Sequence, residues 1–230
     1  MYKKLFIILG GVILIGSLLF IFTNEISASK AADSKIKLNE KVKYTLMRGK
    51  PTKNGSKISV IHKFKDESEI RDFVSLANDK LAELSKEKDF DKSFIATITL
   101  KEPISVQGFE DFVFKYEIDI CDCKIRTFEK DGLRGTLMSE PKNGSLFNFD
   151  RIAEDIDLNT IAGVFAFTCN VNKNNLDKLV EMKNDNRVYV IDIDSYFIGK
   201  DVSEQTGKNI EEVRTNDIYG YIENYKSNEQ

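Results

Sequence analysis

The chain has 230 residues with 34 basic and 37 acidic side chains, a net charge of -3, which argues against a polyanion-binding protein; no nucleic-acid partner is expected. One histidine, three cysteines and no tryptophan remove most metal and nucleophile constellations. No catalytic residue, cofactor or metal ligand is therefore expected, and a non-enzymatic role is.

Leu5 to Phe22 is a run of eighteen uncharged residues preceded by Lys3 and Lys4. As a helix it spans about 27 Å, close to a bilayer core of about 30 Å. The expectation is a transmembrane helix over residues 1–22 acting as a signal-anchor, with the following body outside the membrane. The alternative is a secreted protein, cleaved near Ile26-Ser27-Ala28 or Ser29-Lys30-Ala31. The remaining chain is about one third charged, as a free domain requires.

Residues 23–40 read as a stalk rich in Ser, Ala and Lys. Residues 41–92 start with alternation through Val42, Tyr44 and Leu46. Pro51 to Ser56 then supplies a turn before Ile58, Val60 and His62, which predicts a hairpin. Asp66 and Glu69 form a D-x-x-E cap. Ile70, Phe73, Val74, Ala77, Leu81 and Leu84 then recur at spacings of three and four, with Glu67, Arg71, Lys80 and Glu83 on the opposite, polar face.

Residues 93–194 repeat a different grammar. Phe94 to Leu100 is apolar on both faces, as in a central strand. Ser105 caps a helix carrying Val106, Phe109, Phe112, Val113 and Tyr116 inward. Ile118 to Ile125 alternates again, and Asp131-Gly132 turns into a second strand, Leu133 to Met138. After Pro141 and Asn143-Gly144 comes a helical stretch with Phe149, Ile152, Ala153 and Ile156. Ile161 to Asn170 is a strand, Leu176, Leu179, Val180 and Met182 mark a helix, and Val188 to Ile191 is the last strand. The fold class expected is α+β: an N-terminal transmembrane helix, then a ferredoxin-like βαββαβ domain with an additional hairpin and long helix. Residues 195–230 form a C-terminal extension.

The segments Ile161-Ala162-Gly163-Val164-Phe165-Ala166-Phe167, Leu176-Asp177-Lys178-Leu179 and Asn184 to Asp192 resemble the closing half of a subtilisin propeptide, the inhibitor-nine type of peptidase inhibitor. The resemblance implies a ferredoxin-like fold over residues 93–194 and residues after the last strand lying in a protease cleft. Ser195-Tyr196-Phe197-Ile198 would then be presented as an extended peptide. The chain departs from the family in lacking a fused protease and in continuing for 36 residues past Asp194.

Cys121, Cys123 and Cys169 form the one unusual cluster. Residues two apart on a strand point the same way, and the strand carrying Cys169 neighbours theirs, so a cross-strand disulfide and three buried thiols are the two readings. Asp155-Ile156-Asp157-Leu158-Asn159 opens like a calcium loop but has Thr160 and Ala166 where glycine and glutamate belong. Asp192 and Asp194 share one side of the last strand, read as a solvated strand end, with a bound cation as the alternative. His62 reads as a packed or edge histidine. Tyr219, Tyr221 and Tyr225 read as an element docked on its own domain, with a partner anchor as the alternative. Together these predict a membrane-associated module that binds an unknown protein or peptide, with a serine protease inhibitor or folding helper as the second reading.

Overall fold

A computed structural model describes residues 44–49, 51–87, 92–128, 133–147 and 160–228. Two sheets organise them. Strands β1 (Tyr44–Arg48), β2 (Ser56–His62) and β8 (Ile210–Thr215) form the smaller sheet in the order β1-β2-β8. Strands β3 (Phe94–Ile104), β4 (Asp119–Phe128), β5 (Arg134–Ser139), β6 (Ile161–Val171) and β7 (Val188–Asp192) form the larger, in the order β5-β4-β6-β3-β7. The helices are α1 (Glu67–Leu84), α2 (Val106–Tyr116), α3 (Leu176–Met182), α4 (Asp194–Thr206) and α5 (Tyr219–Asn228).

The larger sheet is antiparallel throughout. Without β5, its strands lie fourth-first-third-second in order of appearance, with α2 and α3 as the crossovers. This is the split βαβ arrangement. Ser105 Oγ accepts from the Gly108 amide to start α2, and Phe109, Phe112, Val113 and Tyr116 are buried. With Leu179 and Met182 of α3 they cover Ile98, Ile125, Val164 and Phe167 in the main core. Gly163 has φ 137, and a Cβ there would collide with the Ile104 carbonyl. Only glycine fits this close approach, which coincides with the break in register between Thr99 and Ile104.

The opposite sheet face is polar. It carries Thr97, Thr99, Asp122, Arg126, Thr168 and Asp192, all buried. An apolar lid cannot satisfy such a face, and the C-terminal chain meets it with donors and acceptors instead. Thr215 Oγ1 donates to Thr97 Oγ1 at 2.8 Å, and the Ile218 amide to Thr99 Oγ1 at 3.3 Å. Arg214 bonds Asp122 at 2.6 Å, Lys124 bonds Asp217 at 2.5 Å and Arg126 bonds Glu223 at 2.9 Å. The Arg126 guanidinium also lies 4.7 Å from the Phe165 ring centre and 5.5 Å from that of Tyr219. Apolar packing resumes where α1 crosses β7: Ile70, Phe73 and Ala77 meet Val190, Ile218 and Ile222.

The N-terminal hairpin is present, β1 pairing antiparallel with β2. Its third strand comes from the far end of the chain, because β8 pairs parallel with β2. The "extension" thus completes the small sheet. Helix α4 covers that sheet through Ile198 and Val202 against Ile58, Val60 and Val213. It stops at Gly207, whose left-handed φ of 64 suits glycine and lets its amide reach the Ser203 carbonyl at 2.8 Å.

The expected membrane anchor needs correcting. Leu5–Phe22 and the stalk lie outside the described residues, and among those described no helix is long and apolar enough to cross a membrane. The longest, α1, is amphipathic and bears Glu67, Glu69, Arg71, Asp72 and Lys80. The described residues form an α+β fold in which no helix is long and apolar enough to cross a membrane, and the membrane, signal-anchor, extracellular and secreted assignments are withdrawn. The Asp131-Gly132 turn, the helical stretch from Phe149 to Ile156 and the acidic loop Asp155–Asn159 also lie outside the described residues.

Candidate functional site

Burial alternates along β2, placing Ser56, Ile58, Val60 and His62 on the inward face. His62 ends this row with no exposed surface. Its ring packs 4.6 Å from that of Phe73, and its amide donates to Asn216 Oδ1 at 2.7 Å. Two carboxylates meet the ring: Asp192 Oδ2 at 3.0 Å and Asp194 Oδ2 at 3.8 Å from Nε2. Each is 2% exposed.

The other oxygen of each carboxylate is held from outside. Asp192 Oδ1 accepts from the Asp194 amide at 2.8 Å, and Asp194 Oδ1 from Lys80 Nζ at 2.6 Å. Burial pushes the Asp192 carboxyl up. The His62 charge and hydrogen bond, the Asp194 amide and Thr215 outweigh this and hold it below the usual carboxylate range. His62, Asp192 and Asp194 are the one set among the described residues with metal-ligating atoms grouped within 4.8 Å.

Asp192 and Asp194 are thus no solvated strand end. β7 stops at Asp192, Ile193 caps the next helix and Asp194 enters α4, so the two side chains turn inward toward His62. Lys80 also departs from its expected outer face: its side chain is 13% exposed and folds onto Asp194. The three residues were legible singly in the sequence. Their meeting was not, because His62 and Asp192 are separated by 130 positions. All three side chains are shielded from water.

An accessible site lies on the other side of α4. A groove of about 550 Å³ runs between Phe94 and Ile95 of β3, Ser195, Gly199 and Ser203 of α4, and the segment Asn209 to Val213. β8 is the outer strand of its sheet. Its Thr215 end is covered by Thr97, whose hydroxyl donates to the Thr215 carbonyl at 3.1 Å. Its other end opens on the groove. The walls carry Glu87, Glu204, Glu211 and Glu212 against Lys92 and Lys200. Glu212 is already paired with Lys57 and Arg214, a pairing that holds its carboxyl low despite burial.

Ser195-Tyr196-Phe197-Ile198 are not an extended segment. They lie in the opening turn of α4 after Asp194, with Ser195 and Ile198 buried and the Ser195 hydroxyl donated to the Ile95 carbonyl. The three cysteines are free thiols. A bulge between Ile120 and Asp122 breaks the alternation of β4, so Cys123 faces the main core with Cys169 while Cys121 lies beside Arg214 and Thr168. Burial raises the Cys121 thiol to about 11 and the Cys123 thiol to about 12, and it raises Cys169 as well. None is a poised nucleophile. Tyr219 is buried, and Tyr221 packs edge-on to Phe64 at 5.1 Å.

No family model, curated protein or solved structure matches the chain.

Proposed function

We infer that the chain is a non-enzymatic binding module that takes an extended peptide segment of a partner protein along the outer edge of β8. The carrying observation is a coincidence of two features: β8 ends its sheet, and its Asn209–Val213 end lines the groove beside α4. An incoming strand draws affinity from main-chain hydrogen bonds to such an edge, and its alternate side chains enter the adjoining groove. The excess of Glu over Lys on the walls favours a segment carrying Lys or Arg.

The inhibitor reading draws on the propeptide-like closing half and needs residues past the last strand to be extended. The helical form of Ser195–Ile198 lends it no support. The strand-edge reading needs no rearrangement of α4.

Selection of a displayed library of extended peptides against the chain, followed by titration with the selected peptide, tests the reading. Ser203, half-buried in the groove wall, is replaced by Trp to fill the space. The expected result is a selected peptide enriched in basic residues whose affinity falls at least tenfold in Ser203→Trp. A peptide bound equally well by this folded variant places recognition elsewhere and overturns the reading.

A further inference from the structure

We propose that His62, Asp192 and Asp194 form a buried site for one divalent transition-metal ion, Zn²⁺ foremost, which clamps β2, β7 and the start of α4 together.

The first support is the convergence of the donors. His62 Nε2 stands 3.0 Å from Asp192 Oδ2 and 3.8 Å from Asp194 Oδ2. Two ligand atoms each about 2.1 Å from a metal, subtending about 90–130° at it, are about 3.0–3.8 Å apart. Both spacings from Nε2 fall in that range, and the three ligand atoms lie within 4.8 Å of one another.

The second support is the arrangement outside those three atoms. Both Oδ1 atoms are tied back, one by the Asp194 amide at 2.8 Å and the other by Lys80 Nζ at 2.6 Å. Both Oδ2 atoms are left turned toward Nε2. Metal-binding carboxylates are oriented in this way by donors on the oxygen that does not ligate. The Thr215 side chain stands beside Asp192 and favours its charged form, and the Phe73 ring packs on the imidazole from one side.

The donor set selects the ion. An imidazole nitrogen with two carboxylates suits zinc, manganese or iron and disfavours calcium, which prefers all-oxygen cages. The three thiols take no part: Cys123 and Cys169 belong to the main core, and Cys121 lies beside Arg214 and Thr168. Binding replaces the proton that bridges Nε2 to Asp192 when the site holds no metal, and that proton leaves to solvent. The two carboxylates balance the ion, and Lys80 stays at the rim with 13% of its side chain exposed.

Full-length protein is stripped with chelator, dialysed against Zn²⁺ or Co²⁺, and its metal content measured by elemental analysis. The proposal expects one equivalent per chain and a thermal midpoint raised by about 5 °C. Both effects should be lost in Asp194→Asn and in His62→Gln. The Co²⁺ spectrum should lack thiolate charge-transfer bands. Absence of bound metal at micromolar Zn²⁺ in the wild type overturns the proposal, leaving an ion-pair cluster held by a proton. Retention of the metal in Asp194→Asn, or cobalt–thiolate bands, also overturns it by placing the ion elsewhere. The wild-type stoichiometry and spectrum decide the matter even where a variant fails to fold.

Discussion

His62 and Asp192 are 130 positions apart in the chain and 3.0 Å apart in the fold, with both side chains almost wholly shielded from water. The pair ties the N-terminal hairpin to the last strand of the larger sheet. A buried charge that loses its partner is costly because water cannot replace it. Replacing His62 by Ala is expected to destabilise the chain by about 3 kcal/mol, since the buried Asp192 carboxylate would lose the cation-capable partner at its Oδ2 while Lys80 stays on Asp194. Urea midpoints of the two proteins check this. A change within about 0.5 kcal/mol would be that of an ordinary surface substitution.

Asp185 supplies an acid-sensitive anchor of a different kind. It accepts from Arg187 Nη2 at 2.7 Å and from the Tyr116 hydroxyl at 2.9 Å. Hydrogen bonds from Arg187, set against burial and joined by those of Tyr116 and Lys115, hold its carboxyl far below the usual range. A depressed native value means the unfolded chain takes up the proton first as pH falls. The contribution is therefore present above about pH 4 and is lost as pH drops through the native value. Asp185→Asn should be less stable than wild type at pH 6, and the difference should shrink steadily below pH 4. Urea midpoints across pH 2.5–6 measure it.

The cysteines carry the opposite sign. Their native values lie above the ordinary 9.0, with Cys121 at about 11 and Cys123 at about 12. The unfolded chain therefore gives up thiol protons first as pH rises. Their contribution is complete below pH 9 and declines as pH climbs through about 11. Denatured, unreduced protein should take up three equivalents of alkylating reagent. Native protein at pH 8 should react slowly, with Cys121 first because it alone is partly exposed. Mass spectrometry of the labelled chain reads both results.

Much of the split βαβ domain was legible because its strands alternate and its helices repeat their apolar residues every three or four positions. Asp66 caps α1, accepting from the Glu69 amide at 3.0 Å, and Ser105 caps α2, each as its motif implies. What escaped was residues 194–215. Tyr196-Phe197-Ile198 reads as a continuing strand, yet only Ile198 and Val202 of α4 reach the small sheet's core. β8 contains two glutamates and an arginine in six residues and has no apolar alternation to mark it as a strand. Its charged side chains find distant partners, Glu212 in Lys57 of β2 and Arg214 in Asp122 of β4. The same non-locality hid the groove, whose walls join the start of β3 and Asn170 of β6 to the α4–β8 segment about 100 positions later than β3. The expectation that Cys121 and Cys123 share one face failed for a local reason: a bulge in β4 breaks the period of two.

The strand-edge account is tested most directly by amide hydrogen exchange of β8 with and without a selected basic peptide. Strand addition places new hydrogen bonds on the outward amides between Ile210 and Val213, so their exchange should slow at least tenfold on binding while β5, at the other sheet's edge, is unchanged. Saturating peptide that leaves the β8 amides exchanging as before, or protects β5 instead, would contradict it.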